Sequence, residues 1–308
     1  EQEVYTWQEP DEKTLSFQRE HSASLRISIV VPAYRTKKEH LEAMLNSVSR
    51  QSYPHWELIV ADAGGTAESV QAWAKKNGIC LREAADASNL AEWKDQSIVL
   101  CTLSENKGIS ANTNAGIELA AGDAVGLLDH DDLLTANALW EMADCLEKEK
   151  KRGKQKLVLF SDEDKCDGAA SRFYEPNFKP DFDGEMLLTN NYICHFTVIE
   201  TAFLKELKLR SGFDGAQDYD LMLRAYAAGG QFVHVPKVLY HWRCHEASTA
   251  SNPQSKRYAY EAGQRALEDY CLRKGWKATV SGLKHLGFYR EDYEAVSYTH
   301  LRAHETLR

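Results

Sequence analysis

Three carboxylates are packed into the stretch Ala124-Val-Gly-Leu-Leu-Asp-His-Asp-Asp132, at Asp129, Asp131 and Asp132. They follow an apolar run with the length of a buried strand. Like charges gathered at a strand end repel one another and lose hydration, a cost that a cation removes. Carboxylate oxygens are the ligands that hard ions such as Mg²⁺ or Mn²⁺ prefer. In open α/β sheets ligands bind beyond the carboxyl ends of the strands. The spacing therefore points to a metal site at a strand tip that holds a phosphorylated ligand. The competing reading is a solvated acidic turn capping a helix from Leu133.

The elements that must position these acids follow from hydrophobic periodicity. Arg26–Val31 is β-branched, stops at Pro32 and reads as a buried strand. Leu41, Met44, Leu45 and Val48 recur at helical spacing, and Glu57–Ala61 is a second strand that ends at Asp62 and the Gly64-Gly65 turn. Strand, helix and strand within about 30 residues make a βαβ unit with a parallel pair. Ser97–Leu103 is a third strand, and Glu105–Asn112 is a loop that turns into a helix through Ala120. This alternation predicts a doubly wound, mostly parallel sheet. Neither G-x-G-x-x-G nor G-x-x-x-x-G-K-[ST] is present, which argues against dinucleotide-fold and P-loop readings.

The second half is less regular. A helix is expected from Leu133 to Lys150, and a short strand, Leu157–Phe160, runs into Ser161-Asp-Glu-Asp-Lys165. Residues 173–182 show no period, and Ile193–Ile199 reads as a strand that follows a bend at Asn190-Asn191. Gly215–Arg224 opens a helix with Asp218 in its first turn. Two short strands bracket Pro236, and Lys256–Lys274 is helical with Tyr260, Leu267 and Cys271 on one face.

A chain of 308 residues with a net charge of −9 is poorly suited to general nucleic-acid binding. No run is long enough to span a bilayer. The seven cysteines are scattered and never spaced C-x-x-C, as expected of reduced thiols in a cytoplasmic protein without a zinc site. Val296–Thr306 resembles a translated sequencing adapter, so residues 296–308 are set aside and the natural sequence is expected to depart near Ala295.

An ordered set of short motifs runs from about Leu25 to Ala250: Val30-Val-Pro-Ala-Tyr34, Ile59-Val-Ala-Asp62, Glu105-Asn-Lys-Gly-Ile109, Asn114-Ala-Gly116, Leu128-Asp-His-Asp-Asp132, Gln217-Asp-Tyr-Asp-Leu221 and Trp242-Arg-Cys-His-Glu-Ala-Ser248. In this order they resemble the family-2 glycosyltransferases of the GT-A fold, and above all the branch that builds bacterial O-antigen and rhamnose-rich polysaccharides. The resemblance implies residues 1–24 as a lead-in and 25–250 as a GT-A domain. Residues 25–132 would form its nucleotide-binding half and 133–250 an α+β acceptor half. Residues 251–295 would be a C-terminal helix and the start of a linker or a second transferase module.

It also implies roles. Pro32, Tyr34 and Asp62 would hold base and ribose, and Asn106 and Lys107 would face ribose and diphosphate. Asp129 and Asp131 would bind a divalent metal (Mg²⁺ or Mn²⁺), with Asp129 also turned towards ribose. His245 would be a further metal ligand, with His241 the second choice. Asp218 would be the base of an inverting transfer, with Asp220 the competing choice. The family's neighbouring carboxylate is replaced by Gln217, which removes a negative charge beside the base. The implied activity is sugar transfer from a nucleotide-diphosphate sugar to a glycan or lipid-linked glycan, in the cytoplasm at the inner membrane face. The alternative is a non-catalytic sugar-nucleotide or glycan-binding module of a larger synthase.

Overall fold

A computed structural model describes residues 5–84, 93–244 and 257–294. A first helix, α1 (Glu12–Glu20), is capped by Asp11, whose carboxylate accepts from the Thr14 N–H at 2.7 Å. The lead-in thus carries a helix that isolated aromatic residues did not announce. Next come β1 (Ile27–Ala33), α2 (Lys38–Ser49), β2 (Trp56–Asp62), α3 (Ala67–Asn77), β3 (Cys80–Glu83), β4 (Ser97–Thr102), α4 (Ile109–Leu119) and β5 (Ala124–Leu127). Strands β3, β4, β2, β1 and β5 lie side by side in that order, all parallel. Their apolar residues are buried on both faces, as the uninterrupted Ile29-Val-Val31 and Leu58-Ile-Val-Ala61 runs require.

The sheet continues through the less regular half. The elements are β6 (Leu133–Leu134), α5 (Ala138–Lys151), β7 (Leu157–Cys166), β8 (Phe173–Asn177), α6 (Gly184–Thr189), β9 (Thr197–Glu200), α7 (Thr201–Leu207), α8 (Gln217–Ala227) and β10 (Gln231–Arg243). Strand β9 pairs antiparallel with both β5 and β7, and β10 runs parallel to β7. A ten-stranded, mostly parallel sheet results, as the sequence predicted. Several local readings are corrected. No helix begins at Leu133; that segment pairs with β10 as a strand, so the acidic cluster caps no helix. Strand β7 extends through the acidic run to Cys166, and Pro236 interrupts one strand at a register shift rather than separating two. Residues 190–196 are an irregular turn, with β9 starting only at Thr197.

Two apolar cores flank the sheet. One packs α2, α3 and α5 on one face; the other packs α4, α7 and α8 on the opposite face. Helix α4 sits close against β1 because Gly116 has no side chain: a Cβ there would lie 2.7 Å from Val30 Cγ1. Helix α9 (Arg257–Arg273) and the hairpin β11 (Ala278–Gly282) and β12 (Tyr289–Tyr293) join the second core through Ala262, Leu267, Tyr270 and Tyr289.

Candidate active site

Parallel strands put the tips of β1, β2 and β5 at one edge of the sheet, so Pro32, Asp62 and Asp129 emerge there together. A cleft of about 570 Å³, its open mouth included, lies beyond that edge. Its walls include Pro32, Asp129, His195 and Asp218, with Ile109 and Thr113 from α4. The acid at the tip of β5 and the acid in the first turn of α8 thus face one space, although 89 positions separate 129 from 218 in the numbering.

Within the acidic cluster the three carboxylates have different surroundings. Asp132 is buried and accepts from the Tyr240 hydroxyl at 2.5 Å and the Arg243 backbone N–H at 2.7 Å. Burial, then the Asp131 and Asp129 charges, push its carboxyl well above the usual aspartate range. Asp129 keeps a partly exposed edge on the cleft. Burial pushes its carboxyl up, His195 opposes that, and Asp131 and Asp218 add to it. Among the described residues none donates a hydrogen bond to the Asp129 carboxylate, whereas Asp132 is held by two. Arg243 Nε donates to the Asp131 carbonyl at 2.5 Å, which pins the turn that carries all three.

A raised carboxyl at an open cleft, beside a second acid, fits a hard cation. Among the described residues no three His, Cys, Asp or Glu side chains form a complete metal cage. A Mg²⁺-type ion is commonly held by one or two carboxylates plus the substrate's phosphates; Asp129, which lines the cleft, and Asp131, two residues on in the same turn, would be the protein's share of such a site. His245 lies outside the described residues. His241 does not serve in its place. Strand alternation turns Tyr240 towards Asp132 and His241 to the opposite face. There His241 bonds Asp164 and packs against Trp7 and Phe173, with ring centroids 5.0 and 4.3 Å away.

The other expected nucleotide contacts are placed as follows. Asp62 is buried, and its carboxylate accepts from the N–H groups of Gly64, Thr66 and Ala67 at 3.0, 3.2 and 2.9 Å. It closes the turn into α3, which leaves little acceptor capacity for a base. Tyr34 stands just past the end of β1, exposed, with the Arg35 guanidinium 5.0 Å from its ring centre. Asn106 spends its side-chain oxygen on the Gly108 N–H and the Asn112 amide, at 3.1 and 2.9 Å, and so shapes the entry to α4. Lys107 is exposed and pairs with Glu105 at 3.1 Å. None of these four lines the cleft. The acidic run 162–164, which sequence reasoning places at a strand end alongside Asp62 and Asp129–Asp132, lies inside β7 instead: Asp162 bonds His234 at 2.8 Å and Asp164 bonds Tyr5 at 2.7 Å.

Asp218 and Asp220 differ sharply. Asp220 is buried and held by Arg224 Nε at 2.9 Å and Arg210 Nε at 3.1 Å, an ion-paired brace rather than a base. Asp218 is partly exposed to the cleft; its oxygens accept from the Asn191 amide at 3.0 Å and the Tyr219 N–H at 2.9 Å. Gln217, where the family has an acid, accepts from the Gly215 N–H at 2.8 Å. The bend expected at Asn190-Asn191 is found, but it extends through residue 196. Sequence reasoning missed the roles of Asn191, Cys194 and His195, because a strand assignment over 193–199 hid the part of the turn that brings them to Asp218.

The model of the glycosyl transferase family 2 matches residues 28–208. An uncharacterized protein of Sinorhizobium fredii is 36% identical over 255 residues, covering 82% of this chain and 26% of the relative. The O-antigen biosynthesis protein RfbC of Myxococcus xanthus is 34% identical over 256 residues, covering 83% and 19%. The chain therefore spans about a quarter or less of these relatives' lengths. Among solved structures, S. aureus TarS in complex with UDP-GlcNAc superposes with a TM-score of 0.59 at 19% identity, over 80% of this chain and 67% of that one. That likeness concerns the fold, an α/β architecture around a large, mostly parallel sheet.

Proposed function

We propose that this chain, which belongs to glycosyl transferase family 2, transfers a sugar from a nucleotide-diphosphate sugar to a glycan acceptor with inversion at the anomeric carbon. One observation carries the reading: Asp129 and Asp218 face a single cleft from opposite elements, one at a strand tip and one at a helix start. An inverting transfer needs this pair of positions. Charge accumulates on the departing diphosphate while a base takes the proton of the attacking hydroxyl from the other side.

Asp129 and Asp131 would hold Mg²⁺ or Mn²⁺, which supplies electrostatic stabilisation to the diphosphate. Asp218 receives the acceptor proton, its carboxylate presented to the cleft by the bonds from Asn191 and Tyr219. Pro32, Ile109 and Thr113 also line the cleft. The relatives support a place in bacterial surface-polysaccharide synthesis, with a glycan or lipid-linked glycan as acceptor. Among the described residues no helix is long and apolar enough to cross a membrane. Action at the inner membrane face therefore rests on the acceptor. The second reading, a non-catalytic module of a larger synthase, is favoured by the chain's small share of its relatives' length.

Thermal melts with UDP, dTDP or GDP, with and without Mn²⁺, test the site. Metal-dependent stabilisation by one nucleotide, lost in Asp131→Asn, supports it. Together with turnover of the matching sugar nucleotide, it excludes the non-catalytic module. Stabilisation equal in the variant contradicts the metal assignment.

A further inference from the structure

We propose that Asn191 is the positioning residue of Asp218, and that the turn at residues 190–196 is built to hold it there. The inference rests on the reading of Asp218 as the base. The Asn191 amide nitrogen lies 3.0 Å from Asp218 Oδ2, while Oδ1 takes the Tyr219 N–H. Both oxygens are thereby anchored, which fixes the plane of the carboxylate relative to the cleft. The opposite amide orientation would set the Asn191 oxygen against the carboxylate, so repulsion selects the orientation described. In that orientation the Asn191 side-chain oxygen is buried without a partner. A buried unpaired carbonyl is a standing cost to the fold. An apolar residue of similar size avoids it, so the asparagine trades stability for its bond to Asp218, as expected of a group that serves the site.

The surroundings fit that role. Asp129 faces Asp218 from β5, Cys194 and His195 from the turn, and Tyr289 from β12. Burial, then Asp218 itself, push the Cys194 thiol well up, so it brings no charge to the carboxylate. The turn is clamped from behind by the buried Lys179. Its ammonium donates to the carbonyls of Ile193 at 3.2 Å and His195 at 2.6 Å, while Glu163 accepts the His195 N–H at 2.7 Å. Asn191 is therefore carried on a braced segment.

The test uses the full chain with Mn²⁺, following UDP release from UDP-GlcNAc or UDP-glucose across the neutral pH range, together with thermal melts. For Asn191→Leu the melting temperature is expected at or above that of the parent. Its kcat falls about 10- to 100-fold, the worth of one hydrogen bond to a charged group, at unchanged donor KM. For Asn191→Asp the acid limb of the kcat profile moves up by about one pH unit or more, because a like charge now faces the base. Parental kcat in folded Asn191→Leu overturns the proposal, as does a kcat loss that only tracks lost stability. Asp218→Asn separates the two readings: if it retains turnover, the base assignment fails. If it is inactive while Asn191→Leu is not, only the present inference fails. Should neither sugar nucleotide turn over, ¹³C-carboxyl NMR reads the aspartate signal missing from Asp218→Asn. Its midpoint rises in Asn191→Asp if the contact exists and stays fixed if it does not.

Discussion

Lys179 offers the sharpest test of how the cleft wall is held. Its side chain is 1% exposed, and its nearest acid, Glu163, is 3.5 Å away. The same ammonium donates to two carbonyl oxygens at 2.6 and 3.2 Å. Lys179→Met keeps the length of the apolar stem and removes the ammonium. Two carbonyls lose their donor, and Glu163 is left to Asn177 and the His195 N–H. Breaking a buried charged contact from one side costs about 3–5 kcal/mol. For a chain of this size the unfolding entropy is roughly 0.6 kcal/mol per kelvin, so the melting temperature should fall by about 5–8 °C. Differential scanning calorimetry measures this directly. A fall within about 1 °C, with turnover at the parental level, would mean that the wall does not depend on Lys179, and the argument for a braced turn would be refuted.

Other substitutions separate brace from base and test the acidic cluster. Asp220→Asn leaves Arg210 and Arg224 without their shared partner and should cost about 3–5 kcal/mol in denaturant unfolding, whereas Asp218→Asn should change stability by less than about 1 kcal/mol. Asp132 has its carboxyl raised in the fold. The penalty on stability is thus absent below the ordinary aspartate pKa, grows as pH rises from there towards the raised value, and is constant above it. Asp132→Asn should therefore stabilise the metal-free protein near neutral pH, with the gain vanishing in acid; urea midpoints across pH would show it, and a gain that grows in acid would contradict the sign. Gly116→Ala forces a methyl group against Val30 and should cost about 1–3 kcal/mol in thermal melts without changing the donor KM.

Much of the architecture was legible because the parallel strands are buried on both faces and so appear as unbroken β-branched runs. Ile27–Val31, Leu58–Ala61 and Ala124–Leu128 are found where periodicity put them, and the acids at their ends follow from that placement. The second half was less legible for a physical reason. Its polar residues are buried in tertiary pairs, such as Asp164 with His241 and Lys179 with the 193–195 carbonyls, and no local period encodes such partners. The same cause misplaced His241. Strand parity decides its face, and the shifted register beyond Val235 could not be read from sequence. Asp62 was correctly found at a strand tip, yet the turn it closes takes three of the roughly four acceptor positions of its carboxylate.

Asp129 and Asp218 share one cleft, and the proposed transfer gives them different duties. The most direct measurement compares nucleotide binding and turnover in Asp218→Asn and in the parent, with UDP and UDP-sugars in Mn²⁺. Calorimetric titration should give equal UDP affinity for both proteins, while release of UDP from the UDP-sugar falls to background only in the variant. Undiminished turnover in Asp218→Asn, with binding intact, would contradict the assignment of the base and with it the proposed transfer mechanism.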